Sequence, residues 1–161
     1  MSRISKIVVA FSIVVLISIL FDMKVSSAAT KELFPTPPTE GIGSIVINPL
    51  NIPTNSYLSN GKGFISATGK KVNVSGNTRS YSAVGKITVN LYLQRWDPTR
   101  GIWITVINIG GYTNSNSSFV SGGKKANVSS GYYYRTRAHH RVSHNGKVEQ
   151  AYSNTSSIYI K

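Results

Sequence analysis

Apolar and polar residues alternate along most of the chain from Gly63 to the C-terminus. The clearest example is the segment 86–95, in which every second residue from Ile87 to Leu93 is aliphatic and the residues between them are polar. A period of two is that of a β-strand, and no window shows the 3.6-residue stripe of an amphipathic helix. The pattern predicts strands over 64–68, 71–78, 86–95, 102–110, 117–128, 131–143 and 147–160.

Turn-forming residues separate these predicted strands. The sequence DPTRG at 97–101 predicts a turn between two of them, and Asn145-Gly146 is the strongest short hairpin signal in the chain. Strands of this length between regular turns predict an all-β fold, an antiparallel β-sandwich of about seven strands of the immunoglobulin or fibronectin type III kind. A small closed barrel is the alternative.

The first 29 residues have the organisation of a signal peptide. Arg3 and Lys6 precede the apolar stretch 7–21, and small residues at 26–29 provide a cleavage site. The alternative is an uncleaved anchor, but the apolar stretch is shorter than the ~20 residues that cross a bilayer comfortably. We therefore expect a secreted protein, extracellular or associated with the cell wall, with no stable transmembrane segment after cleavage.

Residues 30–60 are rich in Pro, Asn and Thr. Prolines at this density oppose helix formation and disfavour a central strand. We expect an extended N-terminal arm, with a short edge strand at 44–47 as its only regular candidate. The β-domain is then predicted to span 61–161.

The composition is strongly basic. Lys and Arg total 18 against five Asp and Glu, for a net charge of +13, and the chain has no cysteine. Disulfides and thiolate chemistry are therefore excluded. An excess of positive charge favours anionic partners but carries no information about the fold.

The segment 131–142, GYYYRTRAHHRV, carries the strongest binding signal. On a strand, one set of alternate residues is mostly apolar and is predicted to face the core, while the other set forms an exposed basic ladder. If Asn145-Gly146 closes a two-residue hairpin, Tyr152 lies opposite His139, next to this ladder. Arginine binds two oxygens of phosphate, sulfate or carboxylate at once, and tyrosine can stack on a base or a sugar ring. The predicted polyanion-binding residues are Tyr133, Arg135, Arg137, His139, Arg141 and Tyr152. A solvated face that only keeps the protein soluble is the competing interpretation.

A seven-residue segment occurs twice, as GKKVNVS at 69–75 and GKKANVS at 123–129. Two copies are too few for a repeat architecture, so we interpret them as two strands that are entered through similar basic turns. If the two strands pair antiparallel, we expect their lysine pairs to lie at opposite ends and to form no common patch.

Catalytic and metal chemistry are weakly represented. His140 and Glu149 would share one face of the predicted hairpin, which is the acid–base pair that a secreted ribonuclease needs. Such ribonucleases pack a helix on their sheet, and no helix is predicted here. His140 and His144 would lie roughly 13 Å apart on a strand, too far to share a metal ion. We expect no catalytic residues, no cofactor and no metal, and a core-facing His140 with a satisfied ring nitrogen.

Two segments, GKITVNLYLQRWDPTRGIW at 85–103 and GYYYRTRAHHRVSHNGKVEQAYSNTSSIYI at 131–160, resemble a family of small uncharacterised secreted β-rich proteins of Gram-positive spore-forming bacteria. The resemblance covers roughly Ser66 to Ile160 and implies export and a β-sandwich, with no activity to carry over.

Together these features predict a monomeric, non-catalytic binding module for anionic cell-envelope or extracellular polymers. Teichoic acid of the wall, acidic polysaccharide and extracellular nucleic acid are the candidate partners. The alternative is a secreted antimicrobial or membrane-active protein, because the net charge favours anionic bilayers. A secreted ribonuclease is the third and weakest interpretation.

Overall fold

The computed structural model of the protein describes residues 57–161. The predicted signal peptide, and residues 30–56 of the predicted arm, lie outside the described residues. Every regular element in the described part is a strand, so the prediction of an all-β fold is confirmed. The strands are β1 (Leu58–Thr68), β2 (Lys71–Asp97), β3 (Ile102–Asn127), β4 (Tyr132–His144), β5 (Lys147–Asn154) and β6 (Ile158–Ile160).

The strands are fewer and longer than the sequence predicts. β2 joins two predicted strands, 71–78 and 86–95, and β3 joins 102–110 and 117–128, because these two long strands stay hydrogen-bonded to each other past their Gly- and Ser-rich middles. The pairing of β2 with β3 contains irregularities in register, and the largest of them lies between Arg79 and Val84. The predicted strand 147–160 instead divides into β5 and β6, and β1 begins at Leu58, six residues before its predicted start.

All six strands belong to one antiparallel sheet. β2 is central: β3 pairs along one side of it, while β1 and then β4 pair along the other side. β5 and β6 both pair with β4. The sheet is curled into a half-barrel, so the predicted immunoglobulin or fibronectin type III sandwich and the count of seven strands are not confirmed. The sheet differs from a sandwich because β2 and β3 continue through its bend instead of ending there.

The core lies inside the curl. The inward aliphatic side chains alternate along β2 as predicted, but the alternation changes phase between its two halves. The buried apolar residues include Val72, Val74, Val84, Ile87, Val89, Leu91, Leu93, Val120, Tyr134, Ala138, Val142 and Ile160. Two glycines allow buried side chains to pack closely against the backbone. A Cβ on Gly76 would lie 2.7 Å from Leu91 Cδ2, and a Cβ on Gly61 would overlap the His140 ring.

A polar group sits in the centre of this core. His140 is fully buried, with Nδ1 2.9 Å from Thr78 Oγ1 and Nε2 2.9 Å from Ser153 Oγ. Because the Thr78 hydroxyl donates to the Thr88 carbonyl oxygen, the Nδ1–H of His140 donates to Thr78 and Nε2 accepts from Ser153. The prediction of a core histidine with satisfied ring nitrogens is confirmed.

The position of β3 changes the expected burial of Trp103. The sequence is apolar on both faces at 102–107, which predicts a central strand, but β3 pairs with β2 alone and is an edge strand within the described residues. Trp103 is accordingly only half-buried, and Ile102 and Val106 are exposed. The turn before β3 is confirmed: Asp97 Oδ1 accepts the amide hydrogens of Thr99 and Arg100 at 3.1 and 3.2 Å.

Candidate anion-binding face

The predicted division of β4 into two faces is confirmed. Tyr134, Thr136, Ala138, His140 and Val142 are all buried on the inner face. The same alternation places Tyr132 in the inner set, but Tyr132 lies at the N-terminal end of the strand and is 37% exposed.

The predicted hairpin register is also confirmed. Arg141 pairs with Gln150, His139 with Tyr152, and Arg137 with Asn154. The turn adopts the left-handed backbone that a two-residue hairpin requires, with φ of 50° at Asn145 and 74° at Gly146. The outer side chains of β4 and β5 therefore form one surface, as the sequence indicates.

Arg135 departs from the prediction of an exposed ladder. Its side chain is only 5% exposed, its guanidinium lies 4.4 Å from the Trp103 ring centroid, and its Nε donates to Gln94 Oε1 at 2.9 Å. Trp103 reaches this position from β3, across the intervening strand β2. The burial depends on a side chain two strands away, which the alternation within β4 cannot reveal. Arg135 is therefore a structural arginine and does not belong to the accessible surface.

Tyr133 is also removed from the centre of the predicted ladder. It is half-buried, and its ring centroid lies 4.9 Å from that of Tyr159 on β6. Tyr159 itself is 49% exposed, so the two rings form an aromatic pair at the surface, at the N-terminal end of β4. The Trp96 and Trp103 rings form a second pair, with centroids 5.4 Å apart.

Three of the predicted residues come together as one cluster. The His139 and Tyr152 rings stack with centroids 4.5 Å apart and planes 14° from parallel. The Arg137 guanidinium lies 4.5 Å from the centroid of the same tyrosine ring. The His139 ring also contacts Gln150, with Nε2 and Oε1 3.1 Å apart. These contacts hold the side chains in place before any ligand arrives.

Arg141 extends the cluster along β4 and is exposed. It lines a shallow depression with Lys86, Thr88 and Ser143. Lys86 and Thr88 are not among the binding residues predicted from the sequence. A signal was present in the alternation of β2, which places both residues on the polar face, but the pairing of β2 with β4 was needed to bring them beside Arg141. The anion-binding face is therefore defined here as Lys86, Thr88, Arg137, His139, Arg141, Gln150 and Tyr152.

Acidic side chains are scarce around this face. Residues 57–161 contain two carboxylate side chains, Asp97 and Glu149. Asp97 holds the turn before β3, and Glu149 accepts the backbone N–H groups of Tyr57 and Leu58 at 2.7–2.9 Å.

The acid–base pair drawn from the sequence has structural roles in the fold. His140 is enclosed by the core, and Glu149 tethers the start of β1. Burial, together with the nearby charge of His139, lowers the pKa of His140 to about 4. A histidine that is sealed from solvent has no access to a polymer substrate.

Within 57–161, no three His, Asp or Glu side chains gather closely enough to hold a metal ion. The same part of the chain includes no helix long and apolar enough to cross a membrane.

Comparison with known protein families gives a match over most of the described residues. A family model described as a family of unknown function, DUF6147, matches residues 48–158. No curated protein and no solved structure matches. The family description says nothing of export, host or ligand, so the predicted secretion from a Gram-positive spore former stays a prediction.

Proposed function

The chain belongs to the DUF6147 family, whose description names no activity, and from the geometry of the site we propose that the protein is a non-catalytic module that binds anionic polymers through its anion-binding face. The partners we propose are those of the cell envelope or the extracellular space, namely wall polymer, acidic polysaccharide or nucleic acid. The predicted signal peptide supports this setting.

The observation that carries the proposal is the pre-ordered cation–aromatic cluster on an open sheet face. Arg137 and His139 are both in contact with the Tyr152 ring, which is itself 51% exposed. Long side chains normally lose rotamer freedom when they bind, and contacts already made in the free protein reduce that cost. A solvated face needs no such order.

The spacing suits a linear ligand better than a small one. Arg137 and Arg141 are four residues apart on one strand, which separates them by roughly 13 Å. Lys86 lies beside Arg141 in the shallow depression. Three cations along an open face match successive charges of a polymer, whereas a small anion would meet them one at a time.

The test is binding measured across salt concentration with single-stranded nucleic acid, teichoic acid and an acidic polysaccharide as separate probes. With three cation contacts, the log–log salt slope for nucleic acid should be about −2 to −3. The variant Lys86→Gln/Arg137→Gln/Arg141→Gln should lose most of that slope and bind more weakly to whichever probe the parent prefers. Arg135 is left intact because its substitution would disturb its buried contacts with Trp103 and Gln94.

The control for net charge is Lys147→Gln/Lys161→Gln, which removes two positive charges, one beside the hairpin tip and one from the C-terminal residue, against three in the test variant. It should retain most of the parent's affinity and slope. Equal weakening by both variants would show that diffuse net charge does the binding and would refute the proposed face. Parental binding by the triple variant would refute it as well.

A further inference from the structure

The two copies of the repeated segment meet in the fold. The antiparallel register of β2 and β3 pairs Lys71 with Asn127 and Asn73 with Lys125. The expectation that the lysine pairs lie at opposite ends is therefore wrong. The register places the copies almost directly against each other, so both pairs lie at the same end of the sheet.

The arrangement has local two-fold symmetry. Each copy contributes a Lys-x-Asn unit to the outer face, and the antiparallel pairing sets each lysine opposite the other copy's asparagine. The two lysines are then diagonal neighbours, about 7–8 Å apart and somewhat closer at their Cβ atoms. Lysine and asparagine residues thus alternate around the four positions of a small square.

Strand β1 completes this surface with hydroxyl groups. Thr68 pairs with Lys71 and Ser66 with Asn73, so each row of the square gains a third polar residue. All six residues are exposed. We call them the lysine–asparagine block: Ser66, Thr68, Lys71, Asn73, Lys125 and Asn127.

The row of residues that borders the block along the strands is uncharged. It consists of Phe64, Ser75 and Gly123. A Cβ on Gly123 would lie 2.6 Å from Ser75 Cβ and 2.7 Å from the Val74 carbonyl oxygen, so the strands approach too closely there for a larger residue. Phe64, which is 47% exposed, bounds the block on the β1 side.

The charges of the block have no acidic neighbours among the described residues. The carboxylates of Asp97 and Glu149 are bonded to the turn before β3 and to the start of β1. Like charges on neighbouring strands repel each other, and an anion between them removes that cost. Lysine ammonium, amide N–H and hydroxyl groups all donate hydrogen bonds to oxygen.

We propose that the lysine–asparagine block is a second anion site, which binds a tetrahedral oxyanion, phosphate or sulfate, through Lys71, Lys125 and the two asparagine amides. The site is separate from the anion-binding face and does not depend on it, because the block uses the N-terminal end of β2, while the face uses Lys86 and Thr88 near the middle of that strand. A phosphorylated polymer and a sulfated glycan would present the same chemistry to it.

The experiment is an NMR titration of the full chain with inorganic tripolyphosphate and, separately, with a sulfated dextran oligomer. The side-chain amide signals of Asn73 and Asn127 report on the block, and the Nε signal of Arg141 reports on the other face. Saturable shifts of both asparagine signals with either probe support the site. The probe that binds more tightly identifies the source of the oxyanion.

The variant Lys71→Gln/Lys125→Gln should weaken the asparagine response about five- to ten-fold. It should leave the Arg141 response and the backbone spectrum unchanged. Lys71→Arg/Lys125→Arg keeps both charges and should retain binding, while Lys147→Gln/Lys161→Gln removes the same charge elsewhere and should have little effect. Asparagine signals that do not move, or equal losses in both Gln variants, would overturn the proposal whether or not Arg141 responds.

Discussion

Acidification should destabilise this fold through one buried histidine. Burial lowers the pKa of His140 from 6.5 to about 4 in the folded protein. Between those two values the unfolded chain binds a proton that the native protein does not accept. Stability is therefore fully present above pH 6.5 and is lost as the pH falls towards 4.

The size of the effect follows from the pKa difference. Each pH unit is worth about 1.4 kcal/mol, so a fall from 6.5 to about 4 removes about 3 kcal/mol of the free energy of unfolding. Burial is the main cause, because the protonated ring would be cut off from water in the core. The neutral ring donates through Nδ1 to Thr78 and accepts at Nε2 from Ser153, so a second ring proton would face a hydroxyl that now donates.

Urea unfolding at pH 7 and at pH 4 measures this loss. The parent should lose about 3 kcal/mol more than His140→Gln over that interval, because the variant has no ring to protonate. His139→Gln is the matched control, since residue 139 lies next to residue 140 but points to the outer face. It should keep most of the parent's pH dependence, which the burial of His140 causes, and lose only the smaller part that the charge of His139 contributes.

An NMR titration of the His140 ring provides a second measurement that does not require the variant to fold. The ring signals should stay constant down to about pH 5 and move only near pH 4. A ring that titrates near 6.5, or a parent that loses no more stability than His140→Gln, would refute the reasoning.

Substitutions at three positions test the other contacts that hold the sheet together, each by urea unfolding. Glu149→Ala should cost about 2 kcal/mol, because the carboxylate accepts two backbone N–H groups at the start of β1. Gly76→Ala should cost about 1–3 kcal/mol, since the new methyl group would meet Leu91 Cδ2 at 2.7 Å. Tyr134→Phe should cost about 1 kcal/mol through the hydrogen bond to the Ser129 carbonyl oxygen, and Tyr134→Ala about 3–5 kcal/mol through the cavity.

Two further substitutions show whether a loss of stability comes from the contact in question or would follow any substitution in the sheet. At Gly85 the nearest contact of an added Cβ is the Ser143 carbonyl oxygen at 3.4 Å, so Gly85→Ala should cost less than Gly76→Ala. Trp103→Ala should cost less than Tyr134→Ala because Trp103 is only half-buried. An unfolding midpoint that is unchanged in Glu149→Ala would show that the start of β1 is held by other contacts.

The sequence by itself determined that the described residues fold as strands and which side of β4 faces inward from Tyr134 to Val142. Alternation is a local property, since successive side chains of a strand point to opposite faces, and a hairpin with a two-residue turn fixes its own register. The pairs from Arg141–Gln150 to Arg137–Asn154 could therefore be predicted without the fold. The core position of His140 followed from the same alternation.

Tertiary structure decided what lies beyond a single hairpin. Trp103 covers Arg135 from two strands away, and Lys86 joins Arg141 through the pairing of β2 with β4. The register of β2 with β3 brings the repeated lysines together at one end of the sheet. Pairing between distant segments depends on how the whole sheet curls around its core, and the alternation within one strand carries no information about which strand will lie beside it.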